Sequence, residues 1–220
     1  MILLFVGRDD WQKDEALNAV LFEKLKENDV EILWEDPAAE FIQSLKNIEQ
    51  GLGFLPAIFR RINLRLAQVI FGLRHPSYFI YLRGRRNGSV QSRCESLKKT
   101  IRDRGVAART IVISRSSGGR VASLIADQMG LKQLVCLGYP FRRPGHGDEP
   151  ERYSHLASLQ TPMLIIQGKH DAYGGLGIEQ EYVFSDKIEC VFIDTDHNFD
   201  LTEAMAHELV ELIENATGLT

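Results

Sequence analysis

One segment limits the possible folds of this chain more than any other. It is a run of apolar, β-branched residues that passes through serines and glycines into a helical pattern. It spans residues 111–126 and reads IVISRSSGGRVASLIA. The pattern predicts a buried strand, a tight turn that carries a serine, and an amphipathic helix. So tight a turn accepts only small side chains two places before and after its serine. If the turn is centred on Ser116, those places hold Ser114 and Gly118, whereas centring it on the next serine puts an arginine at one of them. We therefore predict Ser116 as a nucleophile.

Two later strand patterns each end in a loop with a residue suited to activating this serine. Residues 163–174 form an apolar strand and a loop with Asp171, and residues 188–199 form another strand and a loop with His197. Where such a serine turn serves catalysis, the acid and then the histidine follow it in the chain. His197 would take the proton of Ser116, and Asp171 would hold the imidazole tautomer and stabilise the imidazolium. We predict these three residues as a catalytic set.

Competing assignments exist on the same two loops. Asp194 and Asp196 compete with Asp171 as the acid, and His170 competes with His197. Because His170 adjoins Asp171 on a tight loop, the two side chains are badly placed to form a line with the serine. Each predicted residue also has a simpler interpretation, as part of a Gly/Ser-rich turn, as a turn or helix-capping aspartate, or as a histidine that packs a loop.

These segments resemble the α/β-hydrolase superfamily, and most of all its small single-domain members related to dienelactone hydrolase. The matching pieces lie within residues 110–220 and read SRSSGGR, LGYPF, IQGKHD and DHNF. The resemblance implies a Ser-His-acid triad and acyl-transfer chemistry, and it implies no particular substrate. It also implies an oxyanion hole, the amide groups that bind the negative charge of the intermediate. One donor would be the N–H of Ser117, and the other would come from Gly7 or Arg8 after the first strand.

Strand and helix patterns alternate along the chain, which predicts a mainly parallel sheet with helices on both faces. Strands are predicted at residues 1–6, 30–34, 110–114 and 133–137, besides the two described above. About six strands result, so the two antiparallel strands that open larger α/β-hydrolases are missing. Helices are predicted at residues 15–27, 95–104, 118–129 and about 201–214. A length of 220 residues predicts one domain.

About sixty residues after the second strand interrupt this alternation, and we predict a basic helical insert at about 38–93. Residues 51–94 contain eight arginines and no acidic residue, whereas the rest of the chain carries 18 basic and 30 acidic residues. Apolar residues recur there at helical spacing, namely Leu55, Ile58, Phe59, Ile62, Leu66, Val69, Ile70 and Leu73. Polar residues fall on the other face, namely Arg60, Arg61, Arg65 and Gln68. Three interpretations stay open: a lid over the site, a helix on an anionic membrane surface, and a core-facing helix with solvated arginines.

Other sequence features bear on location and cofactors. The arginines of the insert interrupt the longest apolar stretch, and the N-terminus lacks the basic start of a signal peptide. The cysteines Cys94, Cys136 and Cys190 are far apart and contain no C-x-x-C, which argues against a disulfide framework or a zinc site. We therefore predict a cytoplasmic protein that uses neither metal nor cofactor. Its net charge of −4 and its lack of a recognition motif argue against a nucleic-acid partner.

The function predicted from these features is hydrolysis of an ester or thioester of a small acyl substrate through an acyl-enzyme. The loop after the fourth strand reaches the same edge of the sheet, and Tyr139, Arg142 and Arg143 on it are predicted substrate contacts. The arginines would suit an acidic or phosphorylated group. The alternative is a non-catalytic interaction protein on the same scaffold that uses its Arg-rich insert. The weak match of the loop at Gly7 and Arg8 favours this alternative, and the complete set of three catalytic residue types favours the enzyme.

Overall fold

The computed structural model describes residues 1–8, 15–25, 30–36, 66, 68–76, 78–79, 81–82, 89–105 and 107–219. The strands in these ranges are β1 (Ile2–Val6), β2 (Glu31–Trp34), β3 (Thr110–Arg115), β4 (Gln133–Leu137), β5 (Met163–Gly168) and β6 (Ile188–Ile193). They form one open sheet in the order β2-β1-β3-β4-β5-β6, and every neighbouring pair is parallel. The predicted α/β class and the predicted six-stranded parallel sheet are confirmed.

Helices connect the strands, as parallel neighbours require. They are α1 (Glu15–Leu25), α2 (Val90–Arg104), α3 (Ser117–Met129), α4 (Ile178–Glu181) and α5 (Glu203–Thr217). Short 3₁₀ turns occupy Ala107–Arg109, Pro150–Arg152 and Ser154–Ser158. Residues 68–74 are also helical, and we name them the insert helix.

The second of these helices, α2, begins five residues before the predicted start at residue 95. Ser89 is its N-cap, and the Ser89 hydroxyl accepts a hydrogen bond from the backbone N–H of Ser92 at 3.2 Å. The apolar pattern does not predict this first turn, because an arginine, Arg93, occupies an inward-facing position where the pattern requires an apolar residue.

Both faces of the sheet are covered, so alternate residues of each strand enter two separate cores. Ile2 and Leu4 of β1 pack on the face where Leu97 of α2 and Val121 of α3 are buried. Leu3 packs on the opposite face, among residues of α1 and α5. A side chain as completely buried as Leu3 contributes about 1.5–3 kcal/mol to the free energy of unfolding. The sheet is thus a rigid support for the loops at its ends.

The predicted insert at 38–93 is described only in part, since residues 38–65, 67, 77, 80 and 83–88 lie outside the described ranges. Within the insert helix, Gln68 is buried, whereas Val69, Ile70 and Leu73 are exposed. This orientation is the reverse of the one that a core-facing amphipathic helix requires. None of the helices in the described ranges is long and apolar enough to cross a bilayer.

Candidate active site

The carboxyl ends of the strands gather four distant segments at one edge of the sheet. The strand order reverses at β1, because β2 lies on one side of it and β3 on the other. In open α/β sheets, ligands bind outside the carboxyl ends of the strands at such a reversal. Gly7 follows β1 there, and Ser116 follows β3. Asp171 and His197 lie in the loops after β5 and β6, at the same edge.

Ser116 lies in a sharp turn between β3 and α3. Its backbone has φ 50° and ψ −117°, in the left-handed region that non-glycine residues seldom occupy. Its N–H donates to the carbonyl of Leu137 at 3.1 Å, and its own carbonyl accepts from the N–H of Gly119 at 2.9 Å. These bonds fix the turn, which is centred on Ser116 as predicted and not on the next serine.

Small residues flank the turn because two other chain segments approach it. A Cβ on Gly118 would lie 2.4 Å from the carbonyl oxygen of Val6 and 2.7 Å from that of Gly7. At the other flank, the hydroxyl of Ser114 donates to the carbonyl of Val135 at 2.9 Å. A serine is therefore accommodated in the place where the motif has its first glycine.

Three predicted residues form a hydrogen-bonded row. Ser116 Oγ lies 3.0 Å from His197 Nε2, and His197 Nδ1 lies 2.7 Å from Asp171 Oδ2. The carboxylate of Asp171 is completely buried, and it also accepts hydrogen bonds from Gln167 Nε2 at 2.8 Å and from the N–H of Tyr173 at 2.7 Å. With Nδ1 donating to the carboxylate, Nε2 of His197 faces the serine as a proton acceptor. The ring of Tyr173 stacks on the imidazole at 4.1 Å.

Arg115 ties the histidine loop to the sheet. Its guanidinium donates to the carbonyl of Leu137 at 2.9 Å and to the carbonyl of His197, and it lies 4.7 Å from the ring centre of Phe199. The side chain is buried. In the sequence this arginine stands out only as a misfit for a turn centred on the next serine. An arginine inside a strand that is buried on both faces is the signal that would have found it.

Arg93 connects the two sides of the predicted oxyanion hole. It donates to the hydroxyl of Ser117 and to the carbonyl of Gly7, each at 3.0 Å, and its side chain is buried. By composition alone it belongs with the basic residues of the insert. Its spacing of four and eight residues from the buried Leu97 and Ile101 places it on the inward face of α2, and that spacing was the signal available.

The predicted oxyanion-hole residues lie next to the serine. Ser117 is the first residue of α3, whose N-terminal end favours negative charge. Gly7 and Arg8 follow β1, and the approach of Gly118 to the Gly7 carbonyl holds that loop against the turn. Their role as amide donors stays a prediction.

The three predicted substrate contacts differ in their exposure and in their hydrogen-bond partners. Tyr139 is completely buried, and its hydroxyl donates to the carbonyl of Arg152 at 2.6 Å, so this side chain supports the loop from within. Arg142 is exposed and pairs with Glu181 at 3.0 Å. Arg143 is also exposed and pairs with Glu149. The assignment of all three residues to a substrate stays a prediction.

Other histidine pairs lie apart from the row. His170 Nε2 lies 3.1 Å from Asp194 Oδ1, and both side chains are exposed. His155 Nε2 lies 2.8 Å from the hydroxyl of Ser123, which is buried. Burial lowers the pKa of His155 to about 4, so this imidazole is neutral at pH 7. In this second serine–histidine pair the serine is buried and the histidine is half-buried.

Comparison with known proteins identifies a family whose model matches this chain and solved structures that share its fold. Residues 79–219 match the family model for an alpha/beta hydrolase domain. No curated protein sequence matches the chain. Solved structures that resemble it include one assigned to the hydrolases of the α/β superfamily from Xanthomonas campestris pv. campestris, with a TM-score of 0.53 and 14% identity over 97% of each chain. Another is the esterase domain of a Rhodothermus marinus protein, with a TM-score of 0.52 and 10% identity over 97% of this chain and 84% of that one. At such identities the likeness concerns the fold.

Proposed function

Since the chain belongs to the α/β-hydrolase family, we propose that it is a serine hydrolase that cleaves an ester or thioester of a small acyl substrate. The observation that carries this proposal is the hydrogen-bonded row of Ser116, His197 and Asp171 at the carboxyl edge of the sheet. The rare backbone conformation of Ser116 supports it, because such strain collects at functional sites.

In the proposed mechanism, Ser116 Oγ attacks the acyl carbonyl while His197 Nε2 takes its proton. The buried carboxylate of Asp171 stabilises the imidazolium that forms. His197 then gives the proton to the departing alcohol or thiol, and the acyl group remains as an ester on Ser116. A water molecule, deprotonated by the same imidazole, attacks this ester. The bond between Ser116 Oγ and the acyl carbon then breaks, the imidazolium returns the proton to Oγ, and the acid leaves.

The negative charge of each tetrahedral intermediate needs amide donors nearby. We assign them to the N–H of Ser117 and to an N–H of Gly7 or Arg8. Loss of one such donor typically costs about 10²–10³ in rate. Arg93 bonds to both segments and is therefore a positioning residue for the hole.

Labelling with a fluorophosphonate probe, which reacts with activated serines, tests the proposal. The wild-type protein should be labelled, and Ser116→Ala and His197→Ala should both abolish labelling. Ser123→Ala is the matched control, because Ser123 also contacts a histidine but is buried, and it should label as the wild type does.

A folded wild-type protein that takes no label, or a Ser116→Ala variant that keeps it, would contradict the proposal. The first result would favour a non-catalytic interaction protein that uses its Arg-rich insert, and the second would place the activated nucleophile at another residue. If labelling follows the expected pattern, the ratio of kcat/KM for an ester and a thioester of the same acyl group decides between the two substrate classes.

A further inference from the structure

Four aliphatic side chains of the insert lie exposed on one side of a helix, and we name them the apolar face. They are Leu66, Val69, Ile70 and Leu73, with exposed fractions of 53%, 48%, 42% and 73%. Their spacing of three, four and seven residues places them in one stripe about 100° wide. Single exposed aliphatic residues are ordinary, but a contiguous stripe of them marks an interaction surface.

Contacts on the other side of the insert helix fix this outward orientation. Gln68 is only 7% exposed, and the ring of Phe71 makes an edge-to-face contact with Tyr78 at 5.0 Å. Gly72 packs so tightly on Phe79 that a Cβ there would lie 2.4 Å from the ring. The helix thus buries a polar amide and exposes its aliphatic residues, which is the reverse of what water favours.

Charge indicates what covers the apolar face. Arg74 and His75 are exposed directly after it. The surrounding sequence, residues 51–94, has eight arginines and no acidic residue, although one of them, Arg93, is buried. Residues outside this segment are acidic overall, so an anionic surface attracts this part of the molecule and repels the rest. A second copy seated on the same face would bring the two copies of Arg74 together, which disfavours self-association.

We infer that the apolar face inserts into the interface of an anionic phospholipid bilayer, with the exposed Arg74 at the lipid phosphates. The protein then lies on the membrane without crossing it, as basic amphipathic helices do. This inference is independent of the proposed hydrolase activity, because it rests on a surface and needs no catalytic residue.

Flotation with vesicles tests the inference on the full chain. Vesicles of phosphatidylcholine with about a third phosphatidylglycerol should carry the wild-type protein, and vesicles of phosphatidylcholine alone should carry much less. Leu73→Asp should lower binding to the anionic vesicles about tenfold or more, since it removes apolar area and adds a negative charge. Val183→Asp is the matched control, because Val183 is as exposed as Leu73 but lies outside the insert, and it should bind as the wild type does.

A rise in ionic strength from about 0.1 M to about 1 M should also weaken wild-type binding, because it shortens the screening length from about 10 Å to about 3 Å. If Leu73→Asp proves unstable, two measurements remain decisive. They are the dependence of wild-type binding on ionic strength and the binding of Arg74→Glu to the anionic vesicles. The inference is overturned if anionic vesicles carry no wild-type protein, or if Leu73→Asp binds them equally well. It is also overturned if the wild-type protein sediments as a dimer that Leu73→Asp dissociates, since a second copy would then cover the face.

Discussion

Ser116 shows how a single residue is held in a costly conformation by its surroundings. A left-handed backbone costs a non-glycine residue about 1–3 kcal/mol, and it persists only where neighbouring contacts determine it. The hydrogen bond to the Leu137 carbonyl and the packing of Gly118 on Val6 and Gly7 are those contacts. The turn is therefore sensitive to small steric changes beside it.

Gly118→Ala should disrupt this turn. Its new Cβ would meet backbone oxygens 2.4 Å and 2.7 Å away, and backbone cannot rotate aside as a side chain can. We expect a loss of about 1–3 kcal/mol in the free energy of unfolding and a large fall in the rate of fluorophosphonate labelling. Gly147→Ala, at a glycine with open space around it, should change neither. If Gly118→Ala is labelled at the wild-type rate, the turn tolerates displacement.

His155 should make stability depend on pH. Its folded-state pKa of about 4 lies below the unfolded value of about 6.5, so between these values the unfolded chain binds a proton that the folded chain does not. Stability should fall as pH drops from about 6.5 to about 4, by at most about 1.4 kcal/mol per pH unit from this group. Urea unfolding of wild type and His155→Gln across that range measures the effect. The free energy of unfolding should fall less steeply with pH in the variant than in the wild type. An equal pH dependence of the two proteins would refute the assignment of this effect to His155.

At the scale of elements, α2 does more than cover the sheet. It runs beneath the loop after β1, packs on α3, and carries Arg93 between them. The helix therefore joins the nucleophile turn to the loop that we assign to the oxyanion hole. Its capped start at Ser89 places one more turn under the site than the apolar pattern predicts.

Arg93→Ala should impair the chemical step more than substrate binding. Without the guanidinium, the Gly7 carbonyl and the Ser117 hydroxyl lose the donor that holds them in place. We expect kcat for a model ester to fall about 10- to 100-fold with KM nearly unchanged, because the amide donors act on charge that develops in the transition state. Arg102→Ala, at an exposed position of the same helix, is the matched control. An unchanged kcat in Arg93→Ala would remove the arginine from the positioning role.

For the whole molecule, burial of the sheet on both faces determines how its thiols behave. All three cysteines are free, with Cys94 and Cys136 buried and Cys190 half-buried. Burial raises the pKa of Cys136 and of Cys190 to about 12, and it raises that of Cys94 as well. The reactive thiolate is therefore scarce at neutral pH.

Thiol titration should follow global unfolding. At about pH 8 the native protein should react slowly with a disulfide reagent at every cysteine, because the thiolate is scarce and access is poor. In denaturant all three cysteines should react rapidly. A single fast thiol in the native protein would show that one of these regions opens locally.

Much of the candidate site was predictable because it follows the chain order of its motifs. Ser116, Asp171 and His197 each follow an apolar strand, and parallel strands bring such loops to one edge. The contacts of the two buried arginines beside this row were not predictable. The positions of Arg93 and Arg115 in the sequence indicate that they face inward, but their partners include the carbonyls of Gly7, Leu137 and His197, which carry no side-chain signal.

The sequence by itself determined the α/β class, the six strands and the serine turn, because these depend on local spacing and on small residues within a few positions. Only the tertiary structure decided which side of the insert helix faces inward and that Tyr139 is buried beneath its loop. The tertiary structure also decided that Arg93 and Arg115 are buried. The physical reason is that burial and hydrogen-bond partners depend on segments far apart in the chain. Periodicity predicts that a helix has two faces, but only packing selects the face that meets solvent.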